Sequence, residues 1–190
     1  MKLNIRRILF AAAAAVFVLA IAGYFSAGSA CAHDPRFACS PRGAGNPIGL
    51  RDPQKSWAFY GHLEGEQEDV YAIEVRQALS VSWSLLVDRR DSGNPARPAI
   101  VVRDAAGRER AHLDFSRATS FYEPFSREWY LTTAAATLAL APGSYTAQVR
   151  MRNGRASQRY TFAIGDAERF SVAEIPYVFG AIGRIRALHY

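Results

Sequence analysis

The chain has 190 residues, of which 49% are hydrophobic and 21% are charged, so it can build the core of one ordinary domain and is not globally disordered. Its formal net charge is +6, but Lys2, Arg6 and Arg7 supply +3 within residues 1–32, which contain no acid, and this leaves +3 over residues 33–190. Such a dilute positive charge argues against the concentrated surface that phosphate binding needs, and no nucleic-acid partner is expected.

Residues 1–32 have the pattern of an export signal. A cationic start precedes an uncharged, mostly apolar run over residues 8–25, which approaches the length of a helix that spans a bilayer. A retained signal anchor therefore competes with a cleaved signal peptide, because Gly28-Ser29-Ala30 and Ala30-Cys31-Ala32 are both small-x-small sites. We expect a cytoplasmic N-terminus in the inner membrane and a periplasmic or extracellular domain, or a secreted one if the leader is cleaved.

The chain has two cysteines, and both lie near the end of this leader. In an oxidising compartment, Cys31 and Cys39 can close a small disulfide loop. A lipoprotein with an acylated Cys31 is a third alternative, although Gly28 stands where the lipoprotein signal normally has Leu. Cleavage, retention and acylation all stay open at this point.

Residues 33–56 hold four prolines and three glycines with almost no periodicity, which predicts a tether. From Trp57 the apolar pattern has a period of two, as expected of strands with one buried face. The clearest case is the alternating set Leu79, Val81, Trp83, Leu85 and Val87. About seven to nine such short segments, separated by turns, predict an all-β domain over residues 57–165, an antiparallel β-sandwich.

The turns predict which strands are neighbours. "SWAFYGHLEG" and "DVYAIEV" are expected to pair around residues 64–69, and "PAIVVRD" is expected to pair with "RAHLDF" across residues 105–107. "TLAL" is expected to turn at Pro142-Gly143 into "SYTAQVRM", which Asn153-Gly154 connects to "RYTFAIG". Asn-Gly is a strong hairpin signal because both central positions of a type I′ turn need a positive φ.

Several of these segments resemble one bacterial family. "GHLEG" followed by "EDVYAIEV", the strand around Trp83, "IVVRDAAGRE" and the closing "LALAPGSYTAQV" and "GRASQRYTFAIG" are similar to pre-peptidase C-terminal-type domains. The resemblance covers residues 57–165. It implies a jelly-roll-like sandwich of the kind that accompanies secreted enzymes, with a targeting or binding role rather than a catalytic one.

Residues 118–133 hold five aromatic side chains in sixteen residues. They are Phe121, Tyr122, Phe125, Trp129 and Tyr130. Trp129 and Leu131 are expected to be inward residues of a strand, and Phe121, Tyr122 and Phe125 are expected to lie in a loop around Pro124. Two interpretations stay open: the loop folds over one open end of the sandwich, or its rings form an exposed patch that contacts a glycan or a protein partner.

Five arginines are candidates for contact with lipid headgroups. They are Arg150, Arg152, Arg155, Arg184 and Arg186. Solvated arginines that protect a sheet edge are the alternative for the first three.

Motifs for metal binding and catalysis are lacking in the sequence. The acidic run from Glu64 to Asp69 predicts a solvated turn rather than a calcium site, because alternate residues of an extended chain point apart. The four histidines have no metal-ligand spacing, and no nucleophile or phosphate-loop motif occurs. We therefore assign no catalytic residue, no metal and no cofactor.

Residues 166–190 predict an amphipathic C-terminal helix. Val172, Ile175, Phe179, Ile182 and Ile185 form an apolar stripe on a helix. The helix is expected to pack on the sandwich, to lie in the membrane interface or to pair with a partner subunit.

Together these patterns predict a membrane-anchored or exported envelope accessory protein. Its N-terminal hydrophobic helix holds it in the membrane, and its β-sandwich binds a protein partner or a glycan without catalysis. The alternative is a carbohydrate-active or other hydrolytic enzyme that uses residues 118–133 as a substrate platform, with Glu123 and Glu128 as its paired carboxylates.

Overall fold

The computed structural model describes residues 34–38, 41–90, 97–123, 127–152, 157–169 and 174–187. Twelve strands and one α-helix lie in these ranges. The strands are β1 (Asp34–Phe37), β2 (Ile48–Leu50), β3 (Trp57–Glu64), β4 (Glu68–Val75), β5 (Leu79–Asp88), β6 (Pro98–Asp104), β7 (Glu109–Leu113), β8 (Thr119–Glu123), β9 (Glu128–Thr132), β10 (Ala136–Leu140), β11 (Gly143–Met151) and β12 (Ser157–Ile164). The helix α1 covers Ile175–Ala187. The predicted leader, residues 1–32, lies outside the described residues.

The strands form two sheets. One is seven-stranded, in the order β1-β3-β12-β5-β9-β8, with β10 also paired to β5, and the other is five-stranded, in the order β2-β4-β11-β6-β7. The predicted β-sandwich is confirmed. Its strands are antiparallel with two exceptions, because β1 pairs parallel with β3 and β2 pairs parallel with β4. The finer prediction of a jelly-roll-like arrangement stays a prediction.

One hydrophobic core joins the two sheets. Val81, Trp83, Leu85 and Val87 are all buried on one face of β5, so the predicted alternation is confirmed, and Trp83 is only 1% exposed. Its indole stacks on Phe162 of β12, whose ring meets Tyr71 of the opposite sheet edge-on at 4.9 Å. Burial of each such side chain contributes about 1.5 to 3 kcal/mol.

Three of the four predicted strand pairs are wrong, and one is confirmed. β6 and β7 pair across Gly107, which has a φ of 75°. β3 and β4, β10 and β11, and β11 and β12 are consecutive along the chain but lie in different sheets. The turns from β3 to β4 and from β10 to β11 therefore cross between the two sheets, and Asn153-Gly154, between β11 and β12, lies outside the described residues. A turn signal reports a reversal of direction, which a crossing between layers also requires.

The segment predicted as a tether contains two strands of the sandwich. β1 and β2 lie at sheet edges, and the Arg42 carbonyl accepts a hydrogen bond from the Val70 amide at 2.7 Å. A short edge strand tolerates Pro35 because only one side of it is paired. Ordered packing thus begins before Trp57, whereas the sequence pattern predicted that it begins at Trp57.

The helix α1 packs on the domain. Ala181 and Ile185 are buried, and the Arg184 guanidinium lies 4.0 Å from the centre of the Phe37 ring on β1. This is the packing alternative among the three that the sequence left open. Within the described ranges, the structure contains no helix with the length and apolar character needed to cross a membrane.

Candidate functional site

The aromatic segment is a β-hairpin rather than a loop. Asp114 caps the 3-10 turn Phe115–Arg117 by accepting a hydrogen bond from the Ser116 amide, and the chain then enters β8. β8 and β9 pair in unbroken register, and Arg127 has a positive φ of 61° in the connecting turn.

The hairpin carries aromatic side chains on both of its faces. Phe121 stands opposite Tyr130, and Tyr122 stands opposite Trp129. Phe121, Tyr122 and Trp129 are 43%, 44% and 48% exposed, whereas Tyr130 is 3% exposed. Trp129 lies on the same face of β9 as Leu131, which packs against the main core, so its predicted direction is confirmed, but it is exposed rather than buried. Tyr130, on the other face, is the buried residue of this strand. Phe125 lies outside the described residues.

The exposed pair Tyr122 and Trp129 forms a small patch on one face of the hairpin. Their ring centres are 5.4 Å apart at an interplanar angle of 55°, and the Arg89 guanidinium lies 5.7 Å from the centre of the Trp129 ring. Trp129 shares its face with Leu131, which packs against the main core, but Trp129 itself stays open to solvent.

Tyr130 belongs to the outer surface of the seven-stranded sheet. It is buried there with Leu86 and Ala163, in a small apolar cluster that is separate from the main core. Next to this cluster is an open cleft of about 420 Å³. β3, β12 and β5 form its floor, β1 and α1 form one side, and β9 forms the other. Its size falls in the range of about 300 to 1,000 Å³ that is typical of small-molecule sites.

Aromatic rings line the cleft. Phe37 stacks on Tyr60 with ring centres 5.6 Å apart, and Tyr130 lies across the floor from them. Burial raises the pKa of Tyr60, and the nearby Tyr130 and Glu123 raise it further. The Tyr60 hydroxyl therefore stays protonated and available as a hydrogen-bond donor at neutral pH.

Cationic side chains stand around this apolar floor. Arg90 is held by Asp88 at 2.8 Å and lies 4.0 Å from Glu128. Arg159 is exposed on β12, and Arg184 reaches in from α1. The cleft thus combines flat apolar contact with charged donors, which suits an oligosaccharide or a peptide segment.

No protein-family model matches the chain, and no curated protein sequence matches it. Among solved structures, it is similar to the pre-peptidase C-terminal domain of a collagenase from Bacillus anthracis, the family that the sequence resembles, with 15% identity, a TM-score of 0.40 and coverage of 70% of this chain and 96% of that one. It is also similar to the Yersinia pseudotuberculosis-derived mitogen, with 8% identity, a TM-score of 0.40 and coverage of 63% and 92%.

A third similar structure is the carbohydrate-binding module of lichenase 5A from Cellvibrio mixtus, which was solved in complex with cellotriose. The identity is 12%, the TM-score is 0.32, and the match covers 56% of this chain and 75% of that one. Identities this low transfer no site residue of those proteins to this chain.

The two carboxylates of the enzymatic alternative are neighbours on the hairpin. Glu123 and Glu128 stand directly opposite each other in the register of β8 and β9. Both are half-buried, and the Glu128 carboxylate forms its ion pair with Arg90. This places two acids beside the cleft, but cross-strand adjacency by itself defines neither a nucleophile nor a proton donor.

The arginines predicted to contact a membrane do not form one surface. Arg150 is exposed on β11 of the five-stranded sheet, and Arg152, which directly follows that strand, is exposed and pairs with Asp114 at 3.3 Å. Arg184 lies at the cleft of the other sheet. Arg155 and the side chain of Arg186 lie outside the described residues, as do Cys31 and Cys39.

The acidic run contains a buried residue that the sequence analysis missed. Asp69 accepts hydrogen bonds from the Tyr160 hydroxyl at 2.5 Å and from the Arg42 amide at 2.8 Å, and the Tyr160 hydroxyl also bonds that of Tyr71 at 2.8 Å. The network links the two sheets. Asp69 lies two residues before Tyr71 on β4, so the period of two was the signal that could have placed it inside.

No group of three or more His, Cys, Asp or Glu side chains within the described ranges is arranged to hold a metal ion. Asp69 is buried and therefore does not point into solvent at the acidic turn. The other three acidic residues of that run, Glu64, Glu66 and Glu68, lie outside the core.

A second polar network, also unexpected from the sequence, joins α1 to the sandwich. The Lys55 ammonium donates to Asp34 at 2.7 Å and to Glu174 at 2.8 Å, and it lies 4.4 Å from the centre of the Trp57 ring. Burial lowers the pKa of Lys55, but the bonds and charges of Asp34 and Glu174 outweigh this and raise it overall. Asp34 is fully buried, and Arg36 also donates to its carboxylate.

Proposed function

We propose that this chain is an exported accessory protein of the bacterial envelope whose β-sandwich binds a glycan or a protein partner at the cleft of the seven-stranded sheet, without catalysis. The observation that carries this proposal is the open cleft on an outer sheet surface, which is lined by the half-buried rings of Phe37 and Tyr60. Aromatic rings at an open sheet surface offer a ligand flat contact area at little entropic cost.

The charges around the cleft narrow the chemistry of the ligand. Three arginines line the cleft: Arg90 follows β5, Arg159 is on β12 and Arg184 is on α1. A guanidinium binds carboxylate or phosphate groups by paired hydrogen bonds. The proposed ligand therefore carries acidic groups together with an apolar face.

The test compares binding to two separate fractions of the host envelope, polysaccharide and protein, with the detergent-extracted full chain immobilised. Arg184→Gln is expected to weaken binding about tenfold, which corresponds to the loss of a charge-assisted hydrogen bond. Arg150→Gln, an exposed arginine on the other sheet, is the matched control and is expected to leave binding unchanged. Equal losses in both variants, or binding to neither fraction, would contradict the proposal.

We further propose that the N-terminal run anchors the protein in the inner membrane with the domain outside. The support is the uncharged stretch over residues 8–25 behind a cationic start. Intact mass of the membrane-extracted protein, with and without reductant, distinguishes a retained leader from a cleaved or acylated one and detects a bond between Cys31 and Cys39. A mature mass that begins after Ala30 or Ala32 would contradict anchoring by this run.

A further inference from the structure

Each sheet of the sandwich ends in strands with one unpaired side. The described strands with an open side are β1, β8 and β10 in the seven-stranded sheet and β2 and β7 in the five-stranded sheet. An unpaired edge presents free backbone donors and acceptors to another chain, and proteins usually protect such an edge by cover, shortness, charge or irregularity.

Three of these five edges carry a recognisable protection. β1 lies against α1, and β2 is only three residues long. β7 exposes Glu109, Arg110 and His112, and its register with β6 shifts at Val102/Arg103. β10 lacks these protections, but it exposes only the small side chains of Thr137 and Ala139 and so offers little apolar surface to a second chain.

Among the described residues, no helix or further strand covers the open side of β8. Its five residues pair with β9 without a register shift, the strand contains no lysine or proline, and its one charged side chain, Glu123, is half-buried at its end. Thr119, Ser120, Phe121 and Tyr122 are all exposed. Phe121 and Tyr122, together with Trp129 on β9, are three of the four large hydrophobic side chains that are exposed in the described part of the chain.

We propose that β8 pairs with β8 of a second copy, so that two seven-stranded sheets join into one. The pairing is antiparallel and centred on Phe121, which stands opposite its own counterpart. Ser120 of one copy then faces Tyr122 of the other, and Thr119 faces Glu123. A two-fold arrangement of this kind uses the same strand twice and closes on itself.

The distribution of charge along β8 favours a second copy in this orientation. The strand has a basic approach, Arg117, and an acidic end, Glu123. Antiparallel pairing brings Glu123 of each copy opposite Thr119 of the other, next to the 3-10 turn that carries Arg117, so that the opposite charges lie near each other. Parallel pairing would instead set the two Glu123 carboxylates side by side, which is unfavourable.

The pairing has a consequence for the cleft. The two-fold axis of an antiparallel strand pair runs perpendicular to the sheet, so both clefts open on the same side of the joined sheet. A dimer would then engage a repetitive ligand at two points and gain affinity by effective concentration. The dimer itself does not depend on the function proposed for the cleft.

Sedimentation equilibrium of the full chain in detergent, over a range of protein concentrations, tests the proposal. A five-residue edge is small, so we expect a reversible, concentration-dependent dimer. Phe121→Lys places two like charges directly opposite each other and is expected to give a monomer, and Phe121→Glu is expected to do the same. Thr137→Lys, on the open edge of β10, is the matched control and is expected to keep the wild-type equilibrium.

Mixing the two charged variants separates lost pairing from lost folding. An equimolar mixture of Phe121→Lys and Phe121→Glu is expected to dimerise, because residue 121 of one copy then faces an opposite charge on the other. A wild-type chain that is monomeric at every concentration would overturn the proposal, and so would a mixture that stays monomeric. A dimer that Thr137→Lys disrupts as strongly as Phe121→Lys would overturn it too.

A second pair of substitutions tests the orientation without altering the aromatic patch. Glu123→Arg alone is expected to weaken the dimer because it brings two cations near each other. Adding Arg117→Glu to it restores opposite charges and is expected to restore the wild-type dissociation constant. Failure of the double variant to recover would contradict antiparallel pairing centred on Phe121.

Discussion

Two glycines with nearly the same φ allow the cost of a left-handed backbone conformation to be distinguished from the cost of a steric clash when each is replaced by alanine. Gly107 has a φ of 75° with open space around its Cα, whereas Gly165 has a φ of 77° with the carbonyl oxygens of Gln54 and Lys55 in the path of a Cβ atom. Gly107→Ala is expected to cost about 1 to 2 kcal/mol of unfolding free energy, from the left-handed conformation alone. Gly165→Ala adds the displacement of a backbone segment and is expected to cost about 1 to 3 kcal/mol more.

Urea denaturation of both variants measures this difference. The comparison is well matched because the two residues share a φ value and differ only in their neighbours. Equal costs would mean that the segment before β3 yields without penalty, contrary to the close packing of residues 54 and 55 against Gly165.

Asp69 gives the protein an unusual pH dependence. Burial raises its pKa above the ordinary value, although the hydrogen bonds from Tyr160 and Arg42 act against this. A carboxyl whose pKa is higher in the folded state favours folding while it is protonated. Its contribution to stability is therefore largest below the ordinary pKa of 3.8 and falls as the pH rises through the raised value.

Chemical denaturation at a series of pH values checks this sign. The stability of the wild type minus that of Asp69→Asn is expected to fall as the pH rises from 3 towards neutrality. Asp114 is the control, because hydrogen bonds from Ser116 and the charge of Arg152 lower its pKa. The corresponding difference for Asp114→Asn is expected to rise with pH, and a parallel slope for both variants would be inconsistent with a buried Asp69.

At the residue scale, the sequence predicted side-chain direction better than burial. Five alternating apolar residues on β5 indicated the inward face around Trp83. On β9 the inward face was also predicted, and Leu131 packs against the main core, but Trp129 on the same face is exposed. Tyr130 points to the other face and is buried there with Leu86 and Ala163. Contacts of this kind are made by strands distant in sequence.

At the scale of elements, one ion-pair network attaches α1 to the sandwich. Lys55 lies between Asp34 and Glu174, and the side chains of Lys55 and Glu174 are 10% and 28% exposed. Glu174→Gln leaves the Lys55 ammonium with one carboxylate less in a mostly buried position. We expect a loss of about 1 to 3 kcal/mol in unfolding free energy, together with faster amide hydrogen exchange along α1.

An ion pair in the neighbouring segment provides the control. Arg169 lies 3.1 Å from Asp52, but both side chains are well exposed at 56% and 40%. Arg169→Gln is therefore expected to change stability by less than about 1 kcal/mol and to leave exchange in α1 unaltered. Equal effects of Glu174→Gln and Arg169→Gln would show that the Lys55 network does not hold the helix.

Elements were predicted well from local pattern, and their partners were not. The period of two and the turn residues located most strands from β3 to β12, and the apolar stripe located the C-terminal helix, whereas β8 lies where a loop was predicted. β1 and β2 gave no such signal, since they are short, lie at edges and take their hydrogen bonds from β3 and β4. The pairing of consecutive strands failed where the chain crosses between layers, because the sequence of a turn does not reveal which layer the next strand enters.

At the scale of the whole molecule, the two sheets are expected to unfold together. Trp83 and Phe162 of one sheet pack with Tyr71 of the other, and the buried bonds of Asp69 to Tyr160 cross the same interface. Neither sheet can bury its inward face without the other, so the loss of one exposes the core of both.

Two probes of the same denaturation test this cooperativity. Fluorescence from Trp83, isolated by Trp57→Phe and Trp129→Phe, reports the core, and far-ultraviolet circular dichroism reports all strands. We expect coincident urea midpoints, because a single core gives a single transition. Trp129 lies on the hairpin and is exposed. A second variant that keeps only Trp129, made by Trp57→Phe and Trp83→Phe, therefore shows whether the hairpin unfolds together with the core. A Trp83 transition that precedes the loss of strand signal would mean that one sheet survives without the other and that the interface between them is not the main source of stability.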